Sequence, residues 1–380
     1  MKIQELIYDG EAWQKQDVKT GFSPQLVLLF ASKGTLLQAN CYESLKRLYP
    51  ETPVLGCSTA GEILGERVYD DSAVATAVQF DSSTISYASV NIDSAKESFD
   101  KGVELSNMLP KNDLKNVLII SDGQKVNGTT LIEGLKKHID QDVVVTGGLA
   151  GDGPNFEETL VVANDHPKSG VIVAIGFYGS ELQIGYGSAG GWDSFGPNRK
   201  ITKSKANILY ELDGKPALEL YKTYLGEEAD NLPSSALLFP LTIRDYNSAD
   251  TGKVRTILAV NEADNSMTFA GDMPEGNIAQ LMMANFENLV EGAEDSAKHA
   301  ITDIIAKNGG EKLAILISCV GRKLVLGPKI DEEVEATKQM FDGQTTQIGF
   351  YSYGEISPQF GTGSCELHNQ TMTITLIAEG

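Results

Sequence analysis

Apolar positions along the chain fall into short blocks, and three of the blocks are alike. LVLLFAS at Leu26–Ser32, NVLIISD at Asn116–Asp122 and LAILISC at Leu313–Cys319 are near-continuous apolar runs of strand length. Each leads into a segment with helical spacing. In TLLQANCYESLKRLY, Leu36, Leu37, Cys41, Leu45 and Leu48 fall near one face; TTLIEGLKKHI and DEEVEATKQMF follow the other two runs. A second apolar strand comes next: PVLGCS, VVVTGG and TQIGFY. Ala31 to Gly56 is 25 residues, Ser121 to Thr146 is also 25, and Ser318 to Gly349 is 31. The unit closes in a turn of form x-x-x-[AY]-G-[ED], seen in GCSTAGEI at Gly56–Ile63, TGGLAGDG at Thr146–Gly153 and GFYSYGEI at Gly349–Ile356. More strand follows: AVATAVQF, then TLVVAN with GVIVAIGF, then TMTITLIA. In the last, Met372, Ile374 and Leu376 alternate with Thr371, Thr373 and Thr375, which predicts a half-exposed strand. Self-similarity of this kind predicts a duplicated α/β fold, with layered sheets covered by helices.

The middle of the chain breaks the pattern. YELDGKPALELYKTYLGEEA at Tyr210–Ala229 reads as a turn at Asp213–Gly214 and then a helix, with Pro216 suited to its first turn. A chain of 380 residues exceeds one compact core, so two domains are expected. The expected division is 25–209, a bridging helix at 210–227, and 228–380. VRTILAV and SMTFAGD read as strands around the turn NEADN. PEGNIAQLMMANFENLVEGAEDSAKHAITDII reads as a long amphipathic helix, with Ile278, Leu281, Met282 and Phe286 at helical spacing.

The three turns are the candidate chemistry. Glycine lets a ligand approach the backbone, and small hydroxyl residues offer donors and acceptors. Glu62, Asp152 and Glu355 occupy matching places in the repeat, and Arg322 in SCVGRKLVLG is a carboxylate anchor in type. If the turns converge, they frame a polar pocket suited to an amino acid. The candidate ligand set is Gly56, Cys57, Ser58, Thr59, Gly61, Glu62, Asp152, Arg322, Gly354 and Glu355. The competing reading is structural: the carboxylates cap nearby backbone and Arg322 is a surface residue. GCSTAGEI is not a nucleophile elbow, because Gly61 comes one residue late and strand, not helix, follows. A nucleophilic Cys57 would need a histidine base, and none of His138, His166, His299 and His368 lies in one of the three repeated turns. A cysteine-dependent enzyme is therefore an alternative only, and no catalytic residue is expected. Phosphate-loop patterns are absent.

Charge narrows the partners. A formal net charge of −21 repels phosphate backbones and anionic membranes. No run reaches the roughly 20 apolar residues of a membrane helix. MKIQELIYDGEAW lacks the apolar core of a secretory signal, so the cytoplasm is expected. Cys41, Cys57, Cys319 and Cys365 form no CxxC pair, so reduced thiols and no metal site are expected. Haem would need an axial ligand, for which His368, at a strand start, and His166, in a turn, are the candidates.

Taken together, VLGCSTAGEI, GGLAGDG, KITKSKANILYELDGKPALELYKTYLG, MTFAGDMPEG, ISCVGRKLVLG, GFYSYGEISP and CELHNQTMTITLI resemble the FIST family, N-terminal then C-terminal domain, from about Gln25 to Ile377. The resemblance implies a signal-input module for a small ligand, for which amino acids are suggested. It also implies, for a subgroup, haem-based nitric oxide sensing that acts on a separate kinase. No kinase, GGDEF or DNA-binding block is present, so output through a separate histidine kinase or cyclic-dinucleotide enzyme is expected. Gly56, Cys57, Ser58, Gly61 and Glu62 match the N-domain signature. Cys319, Gly321, Arg322, Gly354, Glu355, Asn369 and Thr371 match the C-domain one.

Overall fold

The computed structural model describes the chain apart from residues 16–18, 20, 39, 233, 247–251, 303, 305–309 and 360–362. Three six-stranded sheets each form around one parallel strand pair. Leu26–Ser32 pairs with Val54–Thr59, Leu114–Ser121 with Val144–Leu149, and Lys312–Cys319 with Thr345–Ser352. A parallel pair needs a crossover, and here the helices Cys41–Leu48, Gly128–Leu135 and Asp331–Met340 supply it. The first strand of each pair is bordered by an antiparallel strand, Ala73–Gln79, Val171–Tyr178 or Met372–Glu379. That strand pairs in turn with Lys2–Tyr8, Thr84–Asn91 or Leu182–Ala189. The expected repeat is thus a threefold repetition of one topology.

The strand after each turn leaves its own sheet. Glu62–Leu64 joins the third unit beside Thr345–Ser352, Val161–Ala163 joins the first beside Val54–Thr59, and Gly354–Pro358 joins the second beside Val144–Leu149. The exchange is cyclic, so the three units form a ring with pseudo-threefold symmetry. The sheets turn their inner faces to one shared core containing Leu28, Phe30, Leu118, Ile120, Ile315 and Phe350. The Phe30 and Phe350 rings lie 4.7 Å apart between centroids. Each large side chain so buried contributes about 1.5–3 kcal/mol. The helices cover the outer faces.

Strand Met372–Glu379 is not half-exposed as its alternation predicts. Met372, Ile374 and Leu376 pack with Ala293, Ala297 and Ala300 of the helix Phe286–Thr302, while Ile377 joins the shared core. Thr373 Oγ1 satisfies itself by donating to the Ile317 carbonyl at 3.0 Å. Threonine suits a strand whichever layer covers it, and here both faces are covered.

The third unit is interrupted after Leu182–Ala189 by a second body, an eight-stranded sheet with its own core of Leu209, Leu218, Tyr221, Met267, Phe269 and Leu281. The helix read as a bridge, Ala217–Leu225, packs inside this body. The segment read as one long helix is divided. Ile278–Ala284 is a strand between Trp192–Lys205 and Leu241–Arg244, and the helix begins at Phe286. A short apolar run has no period of its own, so its type was decided by the two strands that flank it. The last residues of the reading, 303 and 305, lie outside the described residues. The first expected helix is likewise two, Lys33–Leu36 and Cys41–Leu48, with residue 39 outside the described residues. No helix among the described residues is long and apolar enough to cross a membrane.

Candidate functional site

The pseudo-symmetry places the turns side by side, held by backbone bonds between units. Ala60 N–H donates to the Tyr351 carbonyl at 2.8 Å, Tyr351 N–H to that of Gly61 at 2.8 Å, and Gly151 N–H to that of Ser58 at 2.9 Å. The first and third turns share one device. Glu62 accepts from the Thr59 hydroxyl, and from Ser72 N–H and Oγ at 3.2 and 2.6 Å. Glu355 accepts from Ser352 Oγ at 2.8 Å, and from Thr371 N–H and Oγ1 at 3.2 and 3.0 Å. Burial pushes Glu62 up to about 7 and Glu355 up to about 8, against these donors.

Asp152 does not match them. Val161, not Asp152, stands opposite Cys57, as Glu62 stands opposite Phe350 and Glu355 opposite Gly148. The second turn carries inserted residues. Within them Asp152 accepts from Phe156, Glu157 and Glu158 N–H at 2.9–3.1 Å, and from the Tyr353 hydroxyl. All three carboxylates are therefore bonded within the protein.

The first two turns do frame a cleft of about 470 Å³, lined by Thr59, Gly61, Glu62, Asp152, Lys33 and Lys323 among others. Lys323 Nζ donates to the Ala60 carbonyl at 2.8 Å and pairs with Asp70. Lys33 Nζ lies 3.8 Å from Asp152 and 3.7 Å from Glu158. No described residue of the third turn lines it; Tyr353 touches it only through its hydroxyl bond to Asp152. Gly56 packs on the Leu29 carbonyl, and Gly354 against Leu367 and Leu149. Ser58 Oγ bonds the Gly151 carbonyl at 2.7 Å and Leu160 N–H at 2.8 Å. Cys57 lies in the shared core, its thiol pushed well above the usual range by burial. These four belong to the frame of the site.

Arg322 does anchor a carboxylate, but the protein's own. It is wholly buried, with Nε 2.8 Å and Nη2 2.6 Å from Glu333 Oε2, and Nη2 donating to the Leu289 carbonyl at 2.7 Å. Its Nη1 bonds the Gly190 carbonyl. It thereby ties the interrupted strand and the returning helix to the third unit.

A second cleft, of about 260 Å³, opens where the ring meets the inserted body. Its walls include Trp192, Lys253, Arg255, His368, Asn369 and Thr371. Asn369 is 1% exposed, and both polar atoms of its amide are without a partner among the described residues. His368 Nε2 lies 2.9 Å from the Ser357 carbonyl, so that nitrogen carries the proton and Nδ1 is an acceptor. Burial pulls His368 down to about 4, leaving the ring neutral at physiological pH. Sequence reasoning picked out His368 but missed Arg255, which sits beside Thr256 in VRTILAV, where the pattern reads simply as strand. Asn369 carried a signal only through its place in CELHNQTMTITLI.

The FIST N domain profile matches residues 25–215 and the FIST C domain profile residues 217–358. The chain belongs to the FIST family. FIST domains are sensory domains. An uncharacterized protein of Methanocaldococcus jannaschii is 23% identical over 338 residues, 83% of this chain; the chain spans 62% of that relative's length. A cyanuric acid hydrolase of A. caulinodans aligns over 78% of this chain and 99% of its own, at 11% identity and a TM-score of 0.18, and nothing follows from it.

Haem, which the resemblance implied for a subgroup, does not fit the two candidate histidines. His166 has 66% of its side chain exposed and bonds Glu43 at 3.0 Å on the surface. His368 leaves Nδ1 free, but its cleft, of about 260 Å³, is too small to enclose a tetrapyrrole.

Proposed function

We propose that this FIST chain is a non-catalytic, cytoplasmic signal-input protein that binds a small metabolite, such as an amino acid, in the junction cleft. A separate histidine kinase or cyclic-dinucleotide enzyme reads the outcome. One observation carries the reading: the amide of Asn369, buried and unpaired, faces a cleft built from both bodies. An unsatisfied buried polar group costs about 1–3 kcal/mol, which a ligand supplying the missing partners recovers. A ligand that contacts both bodies favours one arrangement of them over another, which is the requirement for signalling by population shift. Binding sites often lie at such junctions. The burial of Cys57, with no histidine bonded to it among the described residues, supports binding rather than cysteine chemistry.

A thermal-shift screen of amino acids and central metabolites tests it. A ligand at a hundred times its Kd adds about 2.7 kcal/mol and raises the melting temperature by several degrees. The shift should vanish in Asn369→Leu. A screen in which no metabolite moves the transition would sink the proposal.

A further inference from the structure

The charges around the junction cleft are lopsided. Among the described residues, no aspartate or glutamate lines it, but Lys253 and Arg255 do. Lys253 Nζ lies 2.7 Å from Glu366 and is answered by it. Arg255 has no such answer. It is 5% exposed, and its bonds run to carbonyls: Nη1 to Val254 at 3.2 Å and to Leu367 at 3.3 Å, and Nε to Asp272 at 3.4 Å. Asp272 and Glu366 act on it only through space, and no carboxylate is within ion-pairing reach of it among the described residues. A buried guanidinium without an anion is costly, and a planar carboxylate matches its fork. Beside it stand the unpaired donor and acceptor of Asn369 and the acceptor Nδ1 of His368. At about 30 Å³ for each water, the cleft has room for roughly nine waters, which matches an occupant of about that many heavy atoms.

We infer that the junction cleft takes a small organic acid of net negative charge, its carboxylate on Arg255 and a neighbouring hydroxyl, carbonyl or amide on Asn369. This rests on the junction cleft being the ligand site. It goes further in one respect: no carboxylate among the described wall residues stands ready to pair with an ammonium group, so a simple acid, or an acidic amino acid, is preferred to a neutral zwitterion.

Isothermal titration of the full chain decides it, with lactate, succinate, L-glutamate and L-alanine, the amides lactamide and succinamide, and inorganic phosphate. At least one net-anionic carboxylate should bind, its carboxamide about 100-fold more weakly and L-alanine at least tenfold more weakly. Arg255→Gln should reduce the affinity about 30-fold or more, and Asn369→Leu about tenfold. Because Arg255 also braces three carbonyls, Arg255→Lys is the second variant. It keeps the charge but loses the fork, and should retain part of the binding. Acid and amide binding equally, or alanine binding best, with Asn369→Leu still abolishing it, overturns the ligand class and leaves the sensor reading standing. Phosphate binding alone overturns the class too. Carboxylate binding untouched in both variants places the site elsewhere, and no binding of any probe, together with a blank metabolite screen, removes both readings.

Discussion

At the scale of single residues, the side chains that looked most like ligand-binding chemistry proved to be bonded within the fold. Arg322 is the clearest case. Removing one partner of a buried ion pair leaves the other charged and dry, so Arg322→Met should lose about 3–5 kcal/mol in urea denaturation. A loss under 1 kcal/mol would show that Glu333 is stabilised by other means. Glu62 and Glu355 give the stability a pH dependence with a definite sign. Both are held above the ordinary value of 4.5, near 7 and 8. Between about pH 4.5 and 8 the unfolded chain has released these protons while the folded chain keeps them, so their contribution falls as pH rises and is lost above 8. Glu379, pulled down to about 2 despite burial by Asp81, Ser82 and Ser83 donors, works the other way, losing its contribution as pH falls below 4.5. Chemical denaturation of the wild type should give a lower midpoint at pH 8.5 than at pH 5.5. Glu62→Gln with Glu355→Gln should flatten the difference; an unchanged slope would show that neither carboxyl titrates there.

At the scale of elements, the strand–helix–strand units were legible because each strand is a continuous apolar run and each helix has an apolar face. Where two readings competed, the neighbours decided. Ile278–Ala284 has apolar residues at positions that suit either element, and only the flanking strands made it a strand. The glycines of the turns have a packing reason that the sequence did not state. A Cβ at Gly56, Gly147 or Gly349 would overlap the carbonyl oxygen of Leu29, Ile119 or Leu316 on the parallel neighbour. Gly56→Ala and Gly349→Ala should each cost about 3 kcal/mol or more, since backbone cannot step aside as a side chain can. Equilibrium unfolding measures this, and near-neutral results would contradict the close approach.

At the scale of the molecule, the cyclic exchange of strands makes the ring indivisible. Glu62–Leu64 needs Thr345–Ser352, and Gly354–Pro358 needs Val144–Leu149. The segments 1–215 and 216–380, expressed apart, should therefore lack cooperative thermal unfolding and regain it on mixing. Two segments that each melt cooperatively alone would refute the exchange. What the amino-acid order determined by itself is local: the periodicity of the units, their repetition, the acidity, and the family signatures at the turns. It could not determine which units exchange strands, that Asp152 is displaced by an insertion, or that Arg255 and Asn369, 114 residues apart, meet in one cleft. Those depend on long-range pairing, and whether a polar group is satisfied or left wanting is a property of the neighbours the fold brings to it.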